Sequence, residues 1–152
     1  AYVVAAYHDI GIPVCGRKDH EKTSADILRE DRTLTKWFCP EQIEMMAQAV
    51  EDHRASTQRE PRSLYGRIVS EADRDIVPER IVQRCMEYGK ANFPQMDKAW
   101  QIHRTVEYIR ERYGEGGYIR LWLPCSRNQR GIEVLREWLE TGKLEEVCKS
   151  YV

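Results

Sequence analysis

Five polar residues in the first half of the sequence have side chains that bind divalent metal ions. They are an adjacent histidine and aspartate, two further histidines and a later aspartate: His8, Asp9, His20, His53 and Asp73. Imidazole nitrogens and carboxylate oxygens together suit transition metals such as Mn, Fe, Co and Zn. Because one structural zinc needs only four ligands, this set predicts two ions, or one ion with an open coordination position.

The pair His8-Asp9 ends an apolar run of seven residues, Ala-Tyr-Val-Val-Ala-Ala-Tyr. This run has no polar stripe, so we expect a buried helix over residues 1–7. A carboxylate at the end of a buried helix needs a partner, because its desolvation is costly. Neighbouring helix positions point about 100° apart, so His8 and Asp9 are expected to converge on an ion between them.

Helical periodicity places the other metal-binding candidates near the ends of helices. A helix is predicted from near Asp19, with His20 at its start. Pro40 is a favourable first residue for the next helix, whose apolar face ends at His53. In the helix that follows, a stripe at steps of four predicts that Asp73 continues an apolar face.

The remainder of the chain also predicts helices. One begins at Pro78, a longer one covers about residues 95–113, and another ends at Gly142 with a short turn or helix after it. Residues 116–124 are predicted to form a loop. The expected fold is therefore all-α, with one domain over residues 1–152.

Composition excludes several classes of protein. With 24 basic and 25 acidic residues, the net charge of -1 predicts no general attraction to a nucleic-acid polymer or an anionic membrane. The five cysteines form no C-x-x-C pair, which favours reduced thiols over a disulfide framework. No stretch approaches the roughly 18 apolar residues of a membrane span, and no signal peptide opens the chain, so we expect a cytoplasmic protein.

The motifs resemble the HD-domain proteins of the metal-dependent phosphohydrolase superfamily. His8-Asp9-Ile-Gly is similar to the family's HD signature, and Asp19-His20-Glu is similar to its following histidine. Glu-Asp-His53-Arg resembles the next histidine motif, and Glu-Ala-Asp73-Arg resembles the closing aspartate. The resemblance covers about residues 1–75, and the chain as a whole is similar to small bacterial members.

This resemblance implies a helical bundle around a central metal site. His8, Asp9 and Asp73 are expected to bind one ion, while His20 and His53 help to hold a second and Asp9 bridges the two. The implied cofactor is one or two divalent ions of Mn, Fe, Mg, Co, Ni or Zn.

The start of the chain departs from the family pattern. The family has one more histidine before the HD pair, and this sequence lacks it. The helical pattern already begins at Ala1, so we expect further residues to precede it in the natural protein. Ile12-Pro13 follows the Ile-Gly of the signature, and no Gly-Tyr-Pro occurs, which disfavours cyclic-dinucleotide phosphodiesterases of the HD-GYP type.

The leading hypothesis for function is the hydrolysis of a nucleotide or another small phosphate ester, either a monoester or a diester, by metal-activated water. Asp9 is the predicted catalytic residue, which orients the water or accepts its proton. Arg17, Lys18 and Arg54 are candidates to bind the substrate phosphate, although a solvated surface charge explains each equally well. Glu51 and Asp52 are candidates to orient a ligating imidazole.

Several alternatives remain open at this point. The same scaffold hosts di-iron oxygenases in relatives, and the missing first histidine is compatible with a metal- or nucleotide-binding domain without turnover. A helical interaction domain with polar core networks is a further alternative for the fold. The expected partner is a small phosphorylated substrate, with a homodimer left open.

Overall fold

A computed structural model describes residues 1–54 and 58–151. In this part of the chain every regular element is a helix, so the all-α prediction is confirmed. The α-helices, in chain order, are α1 (Tyr2–Tyr7), α2 (Ile12–Cys15), α3 (His20–Glu30), α4 (Pro40–Glu51), α5 (Leu64–Ala72), α6 (Pro78–Asn92), α7 (Lys98–Tyr113), α8 (Gln129–Thr141) and α9 (Lys143–Lys149). A short 3-10 helix, Leu34–Lys36, lies between α3 and α4.

The chain divides into two compact units. The first contains Ala1–Arg74 together with Arg120–Pro124, and the second contains Asp75–Ile119 together with Cys125–Val152. One domain over residues 1–152 stays a prediction. Among the described helices, none is both long and apolar enough to cross a lipid bilayer. The cytoplasmic location stays a prediction.

The first unit has its apolar core between α1, α3 and α4. Helix α4 buries the face that the sequence predicted, with Ile43, Ala47 and Val50 in the core and His53 buried just beyond its end. The buried apolar residues of this core are Val4, Ala25, Leu28, Leu34, Ile43, Ala47, Ala49 and Val50. The core therefore fixes the ends of α3 and α4 that carry His20 and His53.

Helix α1 corrects the expectation of a fully buried helix over residues 1–7. Val4 is its buried residue, with Val3 and Tyr7 partly buried, while Tyr2 is 93% exposed. The reason is that α1 packs by one face on α3 and α4, which leaves its other face outside the core. The predicted loop that follows contains a single helical turn, α2, with Pro13 as its second residue.

Helix α5 buries a different face from the predicted one. The stripe that leads to Asp73 is largely outside the core, because Tyr65 is 45% exposed and the Asp73 side chain is 41% exposed. The buried face is polar: Arg74 donates to the Ser70 hydroxyl at 2.8 Å and to the Arg120 carbonyl. On the same face the Glu71 carboxylate accepts the backbone N–H groups of residues 122 and 123.

The second unit is built from α6, α7, α8 and α9. The predicted apolar face of α6 is buried, and so is most of the predicted face of α7. Helix α7 begins at Lys98 and not near residue 95, because the Asp97 side chain accepts the Trp100 N–H at 2.7 Å and caps the helix. Residues 116–124 form neither helix nor strand, as predicted.

Candidate metal centre

The five predicted metal ligands all lie at helix ends of the first unit. His8 and Asp9 directly follow α1, and His20 is the first residue of α3. His53 follows α4 by two residues, and Asp73 directly follows α5. Side chains at helix ends can point toward a common centre because their direction is less restricted by the neighbouring turns of the helix than that of side chains in the middle of a helix.

A close approach of backbone segments brings Asp9 to His20. Gly11 packs directly on α3, where a side chain at this position would come within 2.7 Å of the His20 carbonyl oxygen. The Gly11 N–H donates to the Ser24 hydroxyl at 2.9 Å. Only glycine allows this contact without a shift of the backbone, so the glycine of the HD signature positions the carboxylate two residues before it.

Asp9, His20 and His53 form the tight part of the cluster. The Asp9 Oδ1 atom lies 3.1 Å from His20 Nε2 and 3.6 Å from His53 Nε2. The two imidazole Nε2 atoms are 3.2 Å apart. Three potential ligand atoms from three different segments therefore face one another.

The proton on each imidazole is fixed by a backbone carbonyl. His20 Nδ1 lies 2.9 Å from the Arg17 carbonyl oxygen, and His53 Nδ1 is bonded to the Val50 carbonyl oxygen. A carbonyl oxygen can only accept, so in each neutral ring Nδ1 carries the proton and Nε2 carries a lone pair. Two lone pairs and a carboxylate oxygen that face each other repel, which a cation between them would relieve. Metal-bound histidines usually have this arrangement.

His8 and Asp73 extend the cluster beyond these three residues. His8 Nε2 is 3.7 Å from Asp9 Oδ2 and 3.6 Å from Asp73 Oδ1. His8 Nδ1 lies 2.9 Å from the Ala5 carbonyl oxygen, so its Nε2 also carries a lone pair when the ring is neutral. Asp9 Oδ1 thus faces His20 and His53, whereas Asp9 Oδ2 faces His8.

Burial differs sharply within the cluster. The side chains of His20 and His53 are 9% and 3% exposed, whereas that of Asp9 is 49% exposed. Burial is the main cause that lowers the pKa of His53, which keeps its Nε2 lone pair available near neutral pH. The expected desolvation of Asp9 at the end of a buried helix is wrong, because α1 is buried on one face only.

The tight cluster fits a divalent ion. Two ligand atoms that each lie about 2.1 Å from one ion, at angles of about 90° to 109°, are separated by about 3.0–3.4 Å. Two separations in the cluster, 3.1 and 3.2 Å, lie in this range, and the third, 3.6 Å, is slightly longer. Asp9, His20 and His53 would hold such an ion, and His8 and Asp73 supply donor atoms for a second.

The predicted substrate-binding residues have two different environments. Arg17 and Lys18 are exposed in the turn before α3. Arg54 is part of a contact behind the cluster, where its Nη1 donates to the Glu21 carboxylate at 2.9 Å. Its charge is therefore compensated within the protein.

Glu21 is a site residue that the sequence reasoning missed. Its side chain is 10% exposed, and its Oε2 atom lies 3.6 Å from His20 Nδ1. Glu21 and Arg54 directly follow His20 and His53 in the sequence and carry opposite charges. If the two histidines are expected to lie close together, an ion pair between these neighbours is expected too. That step would have found the pair.

The two acidic residues before His53 do not orient its ring. Glu51 binds Arg29 at 2.9 Å and Arg62 at 2.5 Å. Asp52 binds Arg59 at 3.1 Å and Arg62 at 3.0 Å. The sequence interpretation of either one as a partner of a ligating imidazole is wrong, because the Val50 carbonyl takes that place.

Comparison with known proteins supports the motif resemblance. The family model of the HD domain matches residues 1–76. This segment contains all five predicted ligands and the glycine that packs on α3. No curated protein and no solved structure matches the chain. The match covers half of the chain and coincides with the helices that converge at Asp9, so the chain belongs to the HD-domain family of the metal-dependent phosphohydrolase superfamily.

Proposed function

We propose that the protein hydrolyses a small phosphate ester, such as a nucleotide, with a divalent ion held by Asp9, His20 and His53. The observation that carries this proposal is the convergence of one carboxylate oxygen and two imidazole Nε2 atoms, in rings whose Nδ1 atoms each lie at a backbone carbonyl oxygen. A bound divalent ion lowers the pKa of water and neutralises charge on a phosphoryl group. The substrate, the metal and the type of ester stay predictions.

Asp9 has the geometry of a general base beside its role as a ligand. Its Oδ1 atom is turned toward two imidazoles, and its Oδ2 atom is turned toward His8 at 3.7 Å. The side chain is half exposed, so solvent reaches the carboxylate. We propose that Oδ2 accepts a proton from the attacking water.

The cations near the cluster divide into two groups. Arg17 and Lys18 are exposed, and we propose that they contact the phosphate oxygens of the substrate. A contact between Arg54 and the substrate stays a prediction, and the bond from Arg54 to Glu21 supports a role in holding the cluster. A homodimer stays a prediction as well.

The test is metal-dependent ester hydrolysis by the purified protein, measured as inorganic phosphate released from monoesters and as the new monoester formed from phosphodiesters. Nucleotides, sugar phosphates and phosphodiesters are offered with Mn²⁺, Fe²⁺, Co²⁺, Ni²⁺, Zn²⁺ or Mg²⁺, and with EDTA as the metal-free reference. Turnover by the wild type should fall at least about a thousandfold in Asp9→Asn. The matched control is Asp26→Asn on α3, whose side chain is 66% exposed and should leave turnover unchanged.

Three outcomes would overturn the proposal. Activity that Asp9→Asn retains, or that EDTA does not reduce, would show chemistry elsewhere in the protein. Oxygen consumption by the iron-loaded protein without hydrolysis of any offered ester would favour an oxygenase. Stoichiometric metal binding without turnover of any offered ester would favour a binding domain.

A further inference from the structure

The second unit contains a cleft between α6 and α7 that is lined by arginines and tyrosines. Its volume is about 430 Å³, and Arg84, Cys85, Tyr88, Arg104 and Tyr108 line it. Arg84 and Tyr88 are four residues apart on α6, and Arg104 and Tyr108 are four residues apart on α7. Residues at this spacing share one helix face, so each helix presents a guanidinium beside a phenol ring. The volume lies in the range of small-ligand sites.

Arg104 is held in place before any ligand binds. Its Nη1 donates to the Cys85 carbonyl oxygen at 3.2 Å, and its guanidinium carbon lies 5.0 Å from the centre of the Tyr88 ring. Gly89 permits this arrangement, because a side chain there would come within 2.1 Å of Gln101 Oε1 and 3.4 Å of Arg104 Nη1. A guanidinium that is already ordered loses less conformational entropy when it binds an anion.

The ring of Tyr108 is held in a similar way. Arg112 Nη1 lies 2.7 Å from the Tyr108 hydroxyl oxygen, and the Arg112 guanidinium carbon lies 5.1 Å from the centre of the ring. Tyr108 and Tyr88 nevertheless remain 36% and 54% exposed. The cleft therefore presents ordered aromatic surface to solvent.

Among residues 1–54 and 58–151, neither Arg84 nor Arg104 forms an ion pair with a carboxylate. Burial raises the pKa of the Cys85 thiol to about 11, so this side chain is neutral at physiological pH.

The carboxylates that flank the cleft residues in sequence are engaged along their own helices. Glu87 on α6 accepts a hydrogen bond from Gln83 at 2.8 Å. Glu107 on α7 is bonded to Arg110. Neither carboxylate is paired with a cleft arginine, so an incoming anion can contact Arg84 and Arg104 without displacing an ion pair.

We propose that this cleft binds a nucleoside monophosphate, with the phosphate on Arg84 and Arg104 and the base against the tyrosine rings. Guanidinium groups bind phosphate through paired hydrogen bonds, and tyrosine rings stack on nucleobases of any sequence. An inorganic anion would leave both rings unused, and an uncharged aromatic compound would leave both arginines unpaired. The proposal does not depend on the metal centre, because every residue that carries it belongs to the second unit.

The test is calorimetric titration of the protein with AMP in the presence of EDTA, so that metal-dependent binding and turnover are absent. Adenosine and inorganic phosphate are titrated separately. AMP should bind with a stoichiometry of one, and each of its two parts should bind at least about tenfold more weakly. Arg84→Gln and Tyr108→Ala should each weaken AMP binding about tenfold.

The variants are chosen so that folding does not decide the result. Arg84 and Tyr108 are both exposed, and thermal unfolding of each variant is measured in parallel. Arg130→Gln on α8, whose side chain is 78% exposed, is the matched control and should retain AMP affinity. Equal affinities for AMP and phosphate, unchanged binding in Arg84→Gln, or loss of binding in Asp9→Asn alone would overturn the proposal.

Discussion

Asp9 and Asp52 are two carboxylates of the same unit with opposite surroundings. The Asp52 side chain is 1% exposed and binds two arginines, Arg59 and Arg62, and its Oδ2 also accepts the backbone N–H of Arg62 at 2.8 Å. Asp9 is 49% exposed, and the groups that face it are imidazole nitrogens with lone pairs. The charge of the buried carboxylate, Asp52, is therefore paired with cations of the protein, whereas the charge of the exposed one, Asp9, faces only imidazoles.

This difference distinguishes the structural carboxylate, Asp52, from the proposed metal ligand, Asp9. Charge-assisted hydrogen bonds satisfy Asp52, so it needs nothing from outside the chain. In the described part of the chain Asp9 has no lysine or arginine partner, and its nearest neighbours repel a negative charge when they are neutral. An isosteric change to asparagine should therefore have opposite consequences at the two positions.

The largest expected effect is the loss of metal-dependent stability in Asp9→Asn. At a metal concentration of about 100 times Kd, the wild type should gain about 2.7 kcal/mol in the free energy of unfolding. Asp9→Asn should lose this gain, because it lacks the anionic ligand that two imidazoles face. Urea unfolding with Mn²⁺ and with EDTA measures the difference.

The same variant gives a second result in EDTA. An asparagine N–H can donate to the Nε2 lone pair of His20, which the carboxylate cannot do. Without metal, Asp9→Asn should therefore be as stable as the wild type or more stable. A loss above about 1 kcal/mol would indicate that Asp9 is held by internal partners, as Asp52 is.

The next effect is the destabilisation of the apoprotein by Asp52→Asn. This change removes a buried charge that accepts hydrogen bonds from two arginines, and it should lower the free energy of unfolding by about 2 kcal/mol. The metal-dependent gain should persist, since Asp52 is not part of the cluster. Asp26→Asn, an exposed partner of Arg29, should change stability by less than about 0.5 kcal/mol. Equal losses of stability in Asp52→Asn and Asp26→Asn would contradict the structural role of Asp52.

A smaller effect is expected at Glu21, which shares one feature with Asp52 and one with Asp9. It is bonded to Arg54, and it also lies 3.6 Å from the ring of a predicted ligand. Glu21→Gln should weaken metal binding about tenfold, because outer partners of ligating histidines tune their affinity by about 10–100-fold. Competition with a metal-sensitive dye measures the affinity, and Glu30→Gln at the exposed end of α3 is the control. An unchanged affinity would limit Glu21 to a structural pairing with Arg54.

The sequence is sufficient to predict every described α-helix except the single turn α2, and also the order of the metal-binding motifs. Proline, glycine and apolar spacing mark most of the helix boundaries, and these are local signals. The same patterns predicted that His20 and His53 lie at helix ends near the core of the first unit. The family resemblance supplied the expectation that these ends converge.

The errors arose where nonlocal contacts decide burial. The burial of the polar face of α5 depends on Glu71 and on Arg74 just beyond the helix, whose hydrogen bonds reach residues 120, 122 and 123. No pattern within α5 shows that distant partner, so the sequence alone favours the apolar stripe as the buried face. The exposure of α1 likewise depends on which helices cover it, and its own composition could not indicate that.

The smallest expected effect is a pH dependence of the apoprotein that originates at His53. Burial lowers its pKa in the folded state below the ordinary value of about 6.5. Above that pH both states hold a neutral ring, so His53 contributes no difference. As the pH falls below about 6.5, the unfolded chain takes up the proton first, and the free energy of unfolding decreases until the folded ring is protonated as well.

In EDTA, His53→Gln should therefore lose less stability on acidification than the wild type. The control is His103→Gln, an exposed change on α7, which should lose as much as the wild type. Parallel curves for His53→Gln and the wild type would mean that the imidazole at the centre of the cluster is as accessible to protons as a surface histidine.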